Sequence, residues 1–307
     1  MNLKRAAAVG VVLALVALLL FIMYPEIFTL SIGPEEEKPE ALPKLKLKIA
    51  VKNAITDNWY SGVSVTIYSG SEKLEAVTTD TSGVAYTVSY YDAGTYTLVL
   101  SVGNTKASAT ITVGKEDIIK EGETEYYFKT VSIVPLGTFE IPYILDPDAN
   151  KITSGGSYNV TAAGKTKPTF TLYLNNTAEN TGASTFVNPV TGRTTGFYVV
   201  VEFSGKPLSI TSSGWTLVYS DSLKSIWVYR VDESKLWTYY DEKNEQWVIG
   251  LVTITMQVDA STVTSGSTIT VTITPYAYLD PNYMKDNAGK VNSEAVAFTS
   301  FTLSIEG

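Results

Sequence analysis

The 307-residue chain carries 23 Lys and Arg against 31 Asp and Glu, for a net charge of −8, and has no cysteine and no histidine. Those absences exclude disulfides, thiol nucleophiles, Ser-His-Asp triads and metals ligated by His or Cys, and the acidic balance argues against nucleic acid as a partner. Charged residues make up only 18% of the chain, below the usual quarter or so, and the neutral polar surface that results suits a hot or acidic medium.

Lys4 and Arg5 precede Ala6 to Tyr24, a run without one charge. As a helix rising about 1.5 Å per residue the run spans roughly 28 Å, close to a bilayer's hydrocarbon thickness of about 30 Å. Pro25 is a natural stop, because it cannot continue the helix without breaking a hydrogen bond. The basic pair marks residues 1–5 as a cytoplasmic n-region. Glu26 and Glu35 to Glu37 lie beyond the run, so everything after it is expected outside.

Three readings of residues 6–24 compete. A cleaved secretory signal has a shorter apolar core, about 7 to 15 residues, and a small-x-small cleavage site, whereas this run ends Phe21-Ile22-Met23-Tyr24-Pro25. A retained transmembrane anchor fits the length and the abrupt end. Lys4-Arg5-Ala6 followed directly by an apolar helix resembles the class III signals of archaeal pilins and surface proteins. That resemblance implies cleavage between Arg5 and Ala6 and a helix packed in the core of a filament.

Residues 25–43 form a Pro- and Glu-rich linker, extended and stiff, that holds the body away from the membrane or filament axis. A first domain over 44–114 opens on strict alternation from Lys44 to Lys52, with apolar residues at every second position and mostly Lys between them. Such a pattern is a half-buried strand with one solvated face. Further strands are predicted over 63–68, 74–78, 84–89, 95–102 and 107–113, separated by turn chemistry such as Asp80-Thr81-Ser82-Gly83 and Asp92-Ala93-Gly94. Short strands at about 8- to 12-residue spacing indicate a β-sandwich.

Gly62-Val63-x-Val65, Thr79-Asp80-x-Ser82-Gly83-x-x-Tyr86 and Gly94-x-Tyr96-x-Leu98 together resemble the collagen-adhesin B-type and carboxypeptidase-regulatory-like modules. The resemblance implies an immunoglobulin-like, seven-stranded sandwich that serves as a stalk, spacer or adhesion module. Some members carry a Lys–Asn isopeptide bond. The expected last strand, Ala107 to Val113, has no Asn, so that bond is not carried over.

The charged stretch 115–126 is expected to link the first domain to a larger second one over 127–307. Strands there are predicted over 126–134, 169–174, 197–203, 216–219, 225–230, 247–258, 268–274 and 296–305. Thr268 to Thr274 alternates without a break, with Thr toward solvent. The end of the chain, Lys285 to Lys290 followed by Phe298, Phe301 and Leu303, resembles the last hairpin of bacterial immunoglobulin-like surface domains.

Candidate sites are few. Asp146 with Asp148, and Asp241 with Glu242, are paired acids of the kind glycoside hydrolysis uses, set in turn-like contexts that favour solvated loops. Gly164-Lys165-Thr166 resembles the end of a phosphate-binding loop but lacks its first glycine, that position being Asn159. Asp280, Asn282 and Asp286 offer the oxygen ligands that Ca²⁺ prefers, without the spacing of an EF-hand. Asn159 and Asn175 each open an N-glycosylation pattern. Rings crowd residues 215–247, with Trp215, Trp227, Trp237 and Trp247 among them. They fill a core between sheets, form a subunit interface, or stack on sugars.

The sequence therefore reads as mainly β: an N-terminal transmembrane helix followed by two antiparallel β-sandwich, Ig-like domains. The expected role is a non-enzymatic structural surface protein, membrane-anchored or filament-forming, that assembles with itself or with other surface or capsid proteins and needs no cofactor. An archaeal pilus or envelope subunit is one such protein, and a spike or turret on a viral membrane is another. A membrane-tethered glycan-binding protein is the rival class.

Overall fold

The computed structural model describes residues 41–307. The apolar run 6–24, the Arg5/Ala6 junction and the linker up to residue 40 lie outside the described residues. Among the described residues no helix is long and apolar enough to cross a membrane. The chain is mainly β.

Two large apolar cores organise the strands. The first lies between two four-stranded sheets. Its strands are β1 (Lys46–Asn53), β2 (Ser64–Ser69), β3 (Glu72–Thr78), β4 (Val84–Tyr86), β5 (Gly94–Val102), β6 (Thr105–Val113), β7 (Ile118–Glu121) and β8 (Thr124–Ile133). One sheet has the order β4-β1-β8-β7, the other β3-β2-β5-β6. The alternation of β1 sends Leu47, Ile49 and Val51 inward to meet Val65, Ile67, Leu98 and Leu100. Its lysines face out, where rings cover them: Lys46 over Tyr90 at 5.5 Å, Lys48 over Tyr86 at 5.5 Å and Phe128 at 5.6 Å, and Lys52 over Trp59 at 4.8 Å. Ammonium groups so placed gain from the ring quadrupole.

Residues 115–126, expected to be a linker, instead hold a 3-10 turn, the edge strand β7 and the start of β8. β8 was expected in the second domain. It pairs with β1 in parallel, from Lys46↔Tyr126 to Asn53↔Ile133. Tyr127, Val131 and Ile133 complete the first core. The charges of this stretch belong to a sheet edge, where Lys and Glu discourage pairing with another chain. The sandwich is therefore not purely antiparallel. β8, like β6, holds no Asn, and the β1 lysines point away from the core.

The remaining strands are β9 (Phe139–Glu140), β10 (Ile144–Leu145), β11 (Lys151–Ile152), β12 (Gly156–Asn159), β13 (Thr169–Asn176), β14 (Phe186–Val187), β15 (Thr194–Ser204) and β16 (Ser209–Ile210). After them come β17 (Trp215–Ser220), β18 (Lys224–Arg230), β19 (Tyr239–Asp241), β20 (Gln246–Val248), β21 (Leu251–Asp259), β22 (Thr268–Leu279), β23 (Val296–Ala297) and β24 (Phe301–Glu306). One sheet follows β11-β10-β13-β21-β16, a second β12-β24-β22-β15-β18-β17, and β19 with β20 forms a separate hairpin. Between the two larger sheets Phe170, Leu172, Ile254 and Met256 face Val199, Phe203, Val271 and Leu303.

β15 is buried on both faces, which explains the unbroken Val199-Val200-Val201 run. Val199 and Val201 enter the large core. Val200 joins Ile226, Val228 and Met284 in a smaller cluster on the sheet's outer side. Met284 comes from the short helix Pro281–Asp286.

The two cores meet at the β5–β6 hairpin. Thr105 Oγ1 accepts from Leu136 N at 2.9 Å, Ser108 Oγ from Val187 N at 3.2 Å, and Tyr278 Oη from Lys106 N at 2.8 Å. Tyr278 is fully buried with φ at 57°, a backbone conformation that costs an ordinary residue free energy and persists only where its surroundings enforce it.

Candidate interaction surface

The aromatic stretch separates into buried and exposed members. Trp215 is buried, donates from Nε1 to Thr255 O at 2.9 Å and leans on Tyr229, with ring centroids 5.3 Å apart. Trp227 packs against the large core and donates to Leu208 O at 3.1 Å. Trp237 lies over Gly182 so closely that a Cβ there would stand 2.6 Å from its Cδ1. These three hold the fold.

Trp247 is different. It sits on the β19–β20 hairpin opposite Tyr240, with centroids 5.6 Å apart and planes at 64°. Trp247 is 40% and Tyr240 43% exposed, and Ile249 (63%) and Leu251 (47%) continue the apolar surface toward β21. At that angle the two rings form no continuous flat platform between them.

The oxygen cluster near the end of the chain is committed to structure. Asp280 caps the helix Pro281–Asp286, its Oδ1 accepting from Asn282 N at 2.9 Å and Tyr283 N at 3.2 Å. Its Oδ2 faces Arg193 Nη1 at 3.4 Å, and Arg193 Nη2 reaches Asp286 Oδ2 at 3.6 Å. Asn282 is exposed on the helix, and Arg230 and Lys285 line the same groove. A Ca²⁺ here would have to displace a guanidinium and sit among cations, so the residues present do not fit that ion. Arg193 escapes sequence reasoning because it lies in a loop far from Asp280 along the chain.

The paired acids also serve turns. Asp146 accepts from Asp148 N at 2.9 Å and Asn150 N at 2.8 Å, and its carboxyl is held below the usual range. Burial pushes it up, but the Asn150 donors and the Asp148 N–H outweigh that. Asp241 is lowered in the same way, first by the Asn244 side chain at 2.7 Å. A general acid for glycoside hydrolysis needs the opposite direction. Lys165 pairs with Asp148, and Gly164 is the left-handed cap, φ 63°, that ends the helical turn Val160–Ala163. No phosphate loop forms there.

The glycosylation candidates are less exposed than their pattern suggests. Asn159 caps Val160–Ala163, accepting from Ala162 N at 2.7 Å. Asn175 lies in β13, paired on both sides, and its Oδ1 is buried without a partner among the described residues. Its neighbour Asn176, which no motif marks, is 1% exposed. Asn176 donates to Leu236 O at 2.9 Å and Thr181 O at 3.1 Å.

No protein-family model matches the chain, and no curated protein matches it. Solved structures similar to it include BcpA, the major pilin subunit of Bacillus cereus, with TM-score 0.32 and 12% identity over 86% of this chain and 69% of that one. The major pilin SpaD from Corynebacterium diphtheriae gives 0.31 and 12% over 85% and 65%. The T6 backbone pilin of serotype M6 Streptococcus pyogenes gives 0.31 and 11% over 87% and 65%. At these scores and identities the likeness decides neither fold nor role.

Proposed function

We propose that this chain is a non-enzymatic structural subunit of a cell surface or envelope. Residues 6–24 hold it in a bilayer or in the core of a filament, residues 25–43 space it outward, and the β body makes contacts with other copies. The observation that carries this reading is the long uncharged run behind Lys4 and Arg5, joined to a β body. The commitment of the candidate acids to caps, turns and ion pairs supports it. The exposed hairpin of Tyr240 and Trp247 is the contact surface this reading favours.

Fractionation of the native source with electron microscopy of the surface material tests it. The expected outcome is membrane-bound or filamentous protein, and freely dispersed cytosolic monomer would overturn it. Sequencing the mature N-terminus separates the forms. A start at Ala6 supports a pilin, while a retained Met1 supports an anchor or a virion spike. Of the four tryptophans in residues 215–247, the glycan-binding reading rests on Trp247 alone, and silence of the full chain on a glycan array would remove it.

A further inference from the structure

β24 contains Phe301-Thr302-Leu303-Ser304-Ile305. The same five residues, in the same order, stand at Phe28-Thr29-Leu30-Ser31-Ile32, just beyond the apolar run. In β24 the alternation is fully used. Phe301, Leu303 and Ile305 are at most 1% exposed inside the large core, while Thr302 and Ser304 are half-buried on the other face. β24 lies between β22, antiparallel, and β12, parallel, with Leu303 opposite both Val271 and Gly156. Among the described residues only the four-residue β12 lies outside it in the sheet.

A slot shaped for Phe, Leu and Ile at alternate positions cannot distinguish the two copies of this sequence. We propose that residues 28–32 of one copy take the place of β24 in a second copy, joining subunits by strand exchange. The proposal rests on the surface-assembly reading above and supplies its joint. The same three side chains enter the core as leave it, so the apolar burial nearly cancels and the cost of joining two copies remains. Local concentration then decides it, and anchored or assembled copies supply that concentration.

Pro34, Pro39 and Pro43 with Glu35 to Glu37 separate the donor from Lys44. Residues 33–43 reach at most roughly 40 Å, enough for the donor to meet a neighbouring copy. A donor segment on one subunit meeting a slot elsewhere on the next is a head-to-tail contact, which propagates into an open chain.

The absence of cysteine makes a direct test possible. Thr302 stands opposite Thr272 in β22, and Ser304 opposite Thr270. If residue 29 occupies the place of 302, full-length Thr29→Cys and Thr272→Cys chains that are mixed, assembled and oxidised form a 29–272 disulfide between chains. Ser31→Cys with Thr270→Cys is the second pair, should the first fold poorly. A further variant, Leu30→Asp, changes only the donor and is expected to lose both cross-link and assembly with the body's unfolding temperature unchanged. Assembled material without either cross-link, or with a Leu30→Asp variant that assembles normally, overturns strand exchange and leaves the surface-subunit reading intact. A wild-type chain that remains a dispersed cytosolic monomer overturns both.

Discussion

Tyr278 and Tyr158 each carry a hydroxyl into the interior, with opposite consequences. The Tyr278 oxygen accepts from Lys106 N, whereas the Tyr158 hydroxyl is buried with no partner among the described residues. Tyr278→Phe orphans a backbone N–H and is expected to cost about 1–3 kcal/mol. Tyr158→Phe removes an unsatisfied group and is expected to leave stability equal or higher. Denaturant unfolding of the two variants checks both signs. Burial also pushes the Tyr278 phenol from 10.0 up to about 12. The folded state thus holds a proton that the unfolded state gives up sooner. The stabilisation is complete below the ordinary value of 10.0 and is lost as pH rises toward about 12. Urea titrations across that range should show the decline in wild type and a weaker one in Tyr278→Phe. At this scale the turn residues were legible, since Asp80, Asp146 and Asp241 sit in turns where their short side chains reach backbone N–H groups. The left-handed Tyr278 and the pairing of Arg193 with Asp280 were not. Nothing local marks either one, and both arise from packing between distant segments.

At the scale of elements, alternation made β1, the first half of β22 (268–273) and β24 readable, because each turns alternate residues into a core and its period of two survives in the sequence. β15 hid its second buried face, which the helix Pro281–Asp286 covers from far along the chain. β8 is legible as a strand but was expected in the wrong core, because the charges of its hairpin with β7 resemble a linker and parallel pairing leaves no turn signal. Tyr127→Ala should therefore destabilise the first sandwich, by about 3–5 kcal/mol as a large buried ring is lost. Protection of β1 amides in hydrogen exchange would drop with it, and unchanged β1 protection would contradict the pairing. The tryptophans give a parallel contrast. Trp215→Ala is expected to cost about 3–5 kcal/mol, and Trp247→Ala about 1 kcal/mol or less, as surface changes do. Thermal unfolding of the pair reads the difference.

For the whole molecule, carboxylates set the response to acid. Glu75 is desolvated, which alone would raise it, but N–H groups of Val88 at 2.7 Å and Ser89 at 3.1 Å hold it below 4.5. Asp80, lowered first by the Ser82 hydroxyl, and Asp259, lowered first by that of Ser261, fall below 3.8. Depressed folded values contribute stability that is present above the ordinary values and lost as pH falls through the depressed ones. The unfolding temperature should therefore hold near neutrality and drop below about pH 4. The scarcity of charge pointed to a hot or acidic medium, and these turn carboxylates oppose the acidic half of that expectation. Calorimetry from pH 7 downward decides between them. The parallel pairing of β1 with β8 has a mechanical consequence. The chain enters β1 at Lys46 and leaves β8 at Ile133 toward the second core. A tether held at the near end and pulled at the far end drags the two strands lengthwise past each other. The ladder from Lys46 to Asn53 then bears the tension in shear, all its bonds together, instead of unzipping one by one.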